Sequence, residues 1–150
     1  MVYLIVALIV LSPVIVLAIL SAVATKPKNL GVVDGRLAAC PNSPNCVSTQ
    51  DADSRHKMEA IAFDTSPDNA LRRLKAAIAT IPRMNIVTQT EDYICKEATS
   101  PIFRFTDDVE FFLDRQAKVI HFRSASRIGY SDMGANRARM EKIRQAFKQQ

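Results

Sequence analysis

The stretch VIHFRSASRIGYSDMGANRAR, from Val119 to Arg139, decides the fold because it contains a strand, a turn and a helix start in succession. Ile120 and Phe122 alternate with polar neighbours, which is the period of a half-buried strand. The Ser/Arg/Gly-rich segment that follows is typical of a turn. Apolar residues then recur at helical spacing as far as Phe147. We therefore predict a strand, a turn and a basic helix over about Met133–Lys148.

An alternating stretch upstream predicts a second strand that pairs with this one as a hairpin. Pairing the two apolar faces across the turn at residues 116–117 gives one definite register. This register places Phe111 opposite Phe122, Leu113 opposite Ile120, Glu110 opposite Arg123, and Phe112 opposite His121. In the last helix the predicted core stripe consists of Met133, Met140, Ile143 and Phe147. Asn136 lies on this stripe and therefore needs a hydrogen-bond partner.

The middle of the chain predicts a further helix and a further hairpin. Ser66 is a good N-cap, Pro67 suits the first helical position and Pro82 marks the end of the helical pattern. Strand patterns at 85–90 and 93–98 are separated by a short polar turn. We predict an α+β fold with an N-terminal single transmembrane helix, followed by an antiparallel sheet of four to five strands covered on one face by two helices.

The first 24 residues contain no charged side chain, whereas the whole chain has 20 basic and 15 acidic residues and a net charge of +5. The run Val2–Ala24 is long enough to cross the ~30 Å hydrocarbon core of a bilayer. A cleaved signal peptide is the alternative, since Ala22-Val23-Ala24 fits a small-x-small cleavage site. We predict an uncleaved anchor over residues 1–25, a linker over 26–39 and an α+β domain over 40–150.

The loop CPNSPNC, from Cys40 to Cys46, predicts a disulfide in an exported domain, although two reduced thiols remain possible on sequence grounds. A zinc site at these cysteines would need two more ligands, and His56 and His121 are the only histidines in the chain, so no metal is predicted. Cys95 fits a small buried residue. The cysteines favour a single-pass inner-membrane protein with its domain on the periplasmic side, whereas the basic residues after the apolar run favour the cytoplasmic side.

Polar groups around the predicted turn and helix start suggest a site for an anion. Free N–H groups at a helix N-terminus attract anions, and arginine binds carboxylate or phosphate in a bidentate manner. We predict a non-enzymatic binding module for an anionic lipid headgroup or a small anionic ligand, without a cofactor. The candidate ligand-binding residues are Glu110, Arg123, Ser124, Ser126, Arg127, Asn136 and Arg137.

Three other interpretations remain open from the sequence. The same polar residues form a structural clasp if Glu110 pairs with Arg123 and Ser131 caps the last helix. A hydrolase or isomerase would use Asp107, Asp108 or Glu110 with Arg123 stabilising an anion, but no known catalytic motif accompanies them. A structural subunit of a membrane complex is the third possibility. Without a basic block interleaved with aromatic residues, nucleic acid is not a predicted partner.

Three ordered motifs also carry a family resemblance. They are CPNSPNCVST (Cys40–Thr49), DDVEFFLD (Asp107–Asp114) and FRSASRIGYSDMGANRARMEKIR (Phe122–Arg144). Together they resemble the domain of unknown function 1499 family over about Leu37–Phe147. The resemblance implies a short domain, often behind an N-terminal membrane or export segment, and it implies no reaction. The motif positions that correspond are Cys40, Cys46, Asp107, Asp108, Glu110, Arg123, Ser124, Ser126, Arg127, Gly129, Asp132, Asn136 and Arg137.

Overall fold

A computed structural model describes residues 15–17, 19, 21 and 23–150 of the chain. From residue 26 onward the domain is an antiparallel sheet with two helices. The strands are β1 (Cys46–Ser48), β2 (Ile61–Ala62), β3 (Met84–Gln89), β4 (Tyr93–Thr99), β5 (Thr106–Asp114) and β6 (Val119–Ser126), and the helices are α1 (Pro67–Ala79) and α2 (Ala135–Lys148).

The sheet has six strands in the order β1-β6-β5-β4-β3, with β2 also pairing with β6. The prediction of four to five strands was therefore wrong. The sequence did not reveal β1, which contains only three residues, and of the strand pattern at 57–64 only the two residues of β2 form a strand. Such short segments show no alternation of their own, and they form because β6 offers them a free edge.

The predicted hairpin register is confirmed. In the β5–β6 ladder Phe111 faces Phe122, Leu113 faces Ile120, Glu110 faces Arg123 and Phe112 faces His121. The predicted β3–β4 hairpin also forms, with a register shift between Ile86 and Thr88. Because consecutive strands from β3 to β6 are neighbours, this part of the sheet is a simple meander.

Both helices bury an apolar stripe against the same face of the sheet. In α1 the hydroxyl of Ser66 accepts a hydrogen bond from the Asn69 N–H at 3.3 Å, as an N-cap should, and Pro67 begins the helix. Helix α2 begins at Ala135 rather than at Met133, and Met133 is 98% exposed instead of lying in the core. The reason is Gly134, whose φ of +79° makes it the N-cap and breaks the helical pattern before it.

The prediction of a transmembrane anchor needs correction. Among the residues that the structure describes, no helix has both the length and the apolar composition needed to cross a membrane. This finding also overturns the single-pass and inner-membrane assignments that rested on the anchor. Of the apolar run, residues 2–14, 18, 20 and 22 lie outside the described residues.

The predicted linker is packed against the domain. We call Lys26–Cys40 the strap, because it lies against the sheet face opposite the helices. Gln50 holds it, since its side-chain oxygen accepts from the Leu37 N–H at 2.8 Å and its amide donates to the Gly35 carbonyl at 3.0 Å. Leu37 is only 5% exposed, so the strap is anchored by an apolar contact as well as by hydrogen bonds.

Candidate functional site

Strand β5 distributes its three acidic residues between the two faces of the sheet. Successive side chains of a strand point to opposite sides, so Asp107 lies on the helix face while Asp108 and Glu110 lie on the strap face. All three are buried. The predicted polar constellation is therefore divided into two clusters, one on each face.

The cluster on the helix face is centred on Asn136, which is completely buried. Its side-chain oxygen accepts a hydrogen bond from Ser124 Oγ at 2.5 Å. Its amide nitrogen donates to the Asn45 carbonyl at 3.0 Å and to Ser126 Oγ at 2.9 Å. The amide of Asn136 thus ties α2 to β6 and to the residue that precedes β1.

Arg139 completes this cluster, although it was not among the predicted site residues. Its guanidinium donates to Asn136 Oδ1 at 2.7 Å and to Ser124 Oγ at 3.0 Å, and it pairs with Asp107 at 2.5 Å. The sequence offered one indication of this contact. Arg139 lies three residues after Asn136 on the predicted helix, and residues i and i+3 are neighbours on a helix surface.

The cluster on the strap face is centred on Glu110, whose side chain is 0% exposed. One carboxylate oxygen lies 3.3 Å from Arg123 Nη1. The other accepts hydrogen bonds from the Tyr93 hydroxyl at 2.7 Å and from the Gly31 N–H of the strap at 2.8 Å. Burial and the bond to Glu110 raise the pKa of Tyr93, so its hydroxyl stays protonated. Arg123 is itself 94% buried in its side chain, and its Nε has no partner among the described residues.

Arg127 forms a second set of ion pairs on the same face. Its guanidinium contacts Asp108 at 2.8 Å and 3.0 Å and also pairs with Glu97. The hydrogen bonds to Asp108, more than those to Glu97, raise the pKa of Arg127. Because this guanidinium is 9% exposed and already holds two carboxylates, it is a structural tie between β4, β5 and the segment after β6.

The remaining predicted site residue, Arg137, lies away from both clusters. It donates to the backbone carbonyls of Arg55 at 2.8 Å and Lys57 at 3.4 Å. The structure therefore brings Ser124, Ser126 and Asn136 together on one face and Glu110, Arg123 and Arg127 on the other, but it does not bring all seven together.

His121 lies on the strap face beside Phe112. The two rings are stacked with centroids 6.2 Å apart, and His121 Nδ1 lies 3.1 Å from Thr49 Oγ1. Burial lowers the pKa of His121, which favours a neutral ring. Among the described residues no group of three or more His, Cys, Asp or Glu side chains is arranged to hold a metal ion.

A cleft of about 390 Å³ lies between the first part of the strap and the edge of the sheet. We call it the strap cleft. Lys26, Lys28 and Gly31 form its outer wall, while Thr88, Tyr93 and Cys95 form its inner wall. Thr88 lies opposite Cys95, and Cys95 lies opposite Glu110 in the ladders, so the inner wall continues directly into the Glu110–Arg123 pair.

Cys40 and Cys46 form a disulfide, with their Cα atoms 5.7 Å apart, which confirms that prediction. The bond ties the end of the strap to the start of β1. The third cysteine, Cys95, is free and buried, and burial raises the pKa of its thiol. A buried thiol with a raised pKa is a poor nucleophile, so Cys95 is a wall residue of the strap cleft.

Removal of this disulfide should destabilise the domain by about 2 kcal/mol, as the loop-closure model gives for so small a ring. The measurement is urea unfolding of the oxidised protein with and without reductant. A Cys40→Ser/Cys46→Ala variant is the control, because reductant should leave its unfolding midpoint unchanged. Equal midpoints for the oxidised and reduced wild-type protein would contradict the anchoring role.

Comparison with known proteins gives one match. The family model described as a protein of unknown function (DUF1499) matches residues 36–147, which is more than half of the chain. The chain belongs to this family. No curated protein and no solved structure matches the chain.

The limits of the DUF1499 match divide the strap. The match begins at Arg36, so it includes the disulfide, the last five residues of the strap, and the side chains of both polar clusters. Lys26, Lys28 and Gly31 precede it, whereas Thr88, Tyr93 and Cys95 lie within it. The strap cleft therefore combines an inner wall from the DUF1499 region with an outer wall from residues that precede the matched region.

Proposed function

We propose that this protein is a non-enzymatic binding module that holds a small anionic ligand in the strap cleft. One observation carries the proposal. Lys26 and Lys28 line the cleft, and neither forms an ion pair with another described residue. Two ammonium groups on one wall of a cleft give a positive potential that attracts a carboxylate or phosphate group.

The carboxylate nearest to the cleft does not cancel this potential. Glu110 accepts hydrogen bonds from Gly31 and Tyr93, and its charge is opposed by Arg123. The buried pair is therefore neutral as a unit. The charges of Lys26 and Lys28 remain for a ligand.

The inner wall offers contacts for the uncharged part of such a ligand. Thr88 is exposed and contributes a hydroxyl that both donates and accepts. The Tyr93 hydroxyl donates to Glu110, which leaves its oxygen lone pairs as acceptors. In this proposal Glu110 and Arg123 position Tyr93 and the strap and do not themselves contact the ligand.

The expectation of an anionic ligand came from the sequence, but the residues that we propose for it are different. Arg123 and Arg127 are engaged with carboxylates and Arg137 with backbone carbonyls. In this proposal Lys26 and Lys28 bind the anionic group, a role that the sequence had suggested for these arginines.

The test is a titration followed by ¹H–¹⁵N NMR, with glycerol 3-phosphate as the probe and glycerol as its neutral counterpart. We expect saturable shifts of the Gly31 and Tyr93 amide signals with the phosphate only. A Lys26→Ala/Lys28→Ala variant should bind about tenfold or more weakly, since each lost charge-assisted hydrogen bond contributes about 1.5–3 kcal/mol.

The matched control is Lys75→Ala/Lys142→Ala, which removes the same charge from exposed positions on the two helices. If both double variants weaken binding equally, only the net charge matters and the proposed site is wrong. Vesicles of phosphatidylglycerol and of phosphatidylcholine then separate the two sources of the anion. Binding to phosphatidylglycerol vesicles alone, lost in the Lys26→Ala/Lys28→Ala variant, indicates a lipid headgroup as the ligand. Binding of glycerol 3-phosphate without binding to either kind of vesicle indicates a soluble ligand.

A further inference from the structure

A second cleft, of about 260 Å³, lies at the start of α2. Most of the residues that line it belong to the family motif Phe122–Arg144. We call it the motif cleft. Phe105, Ile128 and Leu17 give it apolar walls, and most of its surface is apolar. Apolar walls of this kind are suited to a hydrocarbon group.

The polar groups of the motif cleft are negative or neutral. They are the carboxylates of Asp107 and Asp132 and serine hydroxyls, and no Lys, Arg or His side chain is among the described residues that line it. Asp107 is compensated by its ion pair with Arg139. Asp132 makes no ion pair with any described residue.

Asp132 also occupies the place at which an anion would otherwise bind. Its two carboxylate oxygens accept from the Gly134 N–H at 3.0 Å and from the Asn136 N–H at 2.7 Å, at the positive end of α2. A second anion in the cleft would meet this carboxylate directly. A cation would instead be attracted to it, because the charge of Asp132 is not compensated by another side chain.

We propose that the motif cleft binds a small amphipathic cation, with an aliphatic chain against Phe105 and Ile128 and an ammonium group at Asp132. The serine hydroxyls of the cleft, Ser126 and Ser131, can accept the further hydrogen bonds of an ammonium group. The cleft is separate from the strap cleft, which lies on the other side of the sheet and has the opposite charge.

The apolar surface extends beyond the cleft on the same two loops. Ile102 is 79% exposed, Tyr130 74% and Met133 98%. These residues flank the lining residues Phe105, Ile128 and Asp132 in sequence, so a chain longer than the cleft would still find apolar contacts outside it.

The test compares octylamine with octanoate, which have the same chain length and opposite head charges, in ¹H–¹⁵N NMR titrations of the full chain. We expect octylamine to shift the amide signals of Ile128, Ser131 and Asp132 saturably, and octanoate not to shift them. An Ile128→Lys variant puts a competing ammonium group into the cleft and should weaken octylamine binding about tenfold or more.

The matched control is Ile86→Lys, at a residue that is 60% exposed on β3 and remote from the cleft. It should bind octylamine as the wild type does. If Ile128→Lys fails to fold, Ala135→Leu replaces it as the test variant, because Ala135 is an exposed residue of the lining. The larger leucine side chain narrows the cleft and should also weaken octylamine binding. Equal binding of octanoate, or octylamine binding that neither variant weakens, would overturn the proposal. The Lys26→Ala/Lys28→Ala variant should retain octylamine binding, so the two clefts are tested independently.

Discussion

Glu110→Gln should lower the free energy of unfolding by about 3–5 kcal/mol, which is the usual effect of removing one partner of a buried ion pair. The substitution keeps the size of the side chain. Its amide oxygen can still accept from Tyr93 and Gly31, so the hydrogen bonds to that oxygen survive. What is lost is the charge opposite Arg123, whose side chain is only 6% exposed. An N–H group of the new amide would face the guanidinium, and both are donors.

The measurement is urea unfolding monitored by circular dichroism at neutral pH. Glu141→Gln serves as the control, because Glu141 pairs with Arg144 at the surface and its side chain is 44% exposed. This substitution should change the free energy of unfolding by less than about 1 kcal/mol. A second variant, Glu110→Gln/Arg123→Met, also removes the unpaired positive charge of Arg123. It should recover a large part of the lost free energy of unfolding. A loss below about 1 kcal/mol for Glu110→Gln alone would show that the pair is not a stabilising element.

Asn136→Leu should destabilise the protein by about 2–4 kcal/mol, although leucine completes the apolar stripe of α2 and has the higher helix propensity. The amide of Asn136 satisfies the Asn45 carbonyl and the hydroxyls of Ser124 and Ser126. Leucine would leave these groups buried without that partner. It would also remove an acceptor from Arg139, which binds Asn136 Oδ1 at 2.7 Å.

Thermal unfolding with Gln145→Leu as the control separates these effects, since Gln145 is exposed on the same helix. The control should be neutral or slightly stabilising through helix propensity alone. An Asn136→Leu protein as stable as the wild type would mean that the cluster on the helix face contributes nothing beyond filling space.

Local patterns were sufficient to predict the central hairpin and the N-cap of α1. The β5–β6 register follows from alternation alone, because one face of each strand is apolar and a shift by one residue would expose it. Ser66 and Pro67 likewise specify the start of α1 by side-chain chemistry that acts within one turn. The inward position of Asn136 followed from its place on an apolar stripe.

Contacts between distant segments were not predictable in the same way. Strand β1 has three residues and pairs with the far end of the chain, so neither its length nor its partner is visible locally. The strap was expected to be a linker, since nothing in its own residues indicates that the Gly31 N–H meets Glu110. That Lys26 and Lys28 line the strap cleft could therefore not be recognised from the sequence.

The division of the predicted site between two faces was, in contrast, available from the sequence. Ser124 and Arg123 are adjacent in a strand, so they cannot point to the same side. Grouping them in one constellation gave too much weight to their proximity in sequence. For Arg139 a helical-spacing signal existed, but its partner Asp107 lies on a strand whose position relative to α2 depends on the whole fold.

Asp107 and Asp108 are consecutive residues that bind arginines on opposite sides of the sheet, Arg139 on one side and Arg127 on the other. If β5 slid by one residue against β6, the backbone could form an equally long ladder, but Asp108 and Glu110 would face the apolar core. Both ion pairs would be broken, and carboxylates would be buried without a cation, at several kcal/mol each. The adjacent acidic residues thus disfavour misaligned sheets during folding.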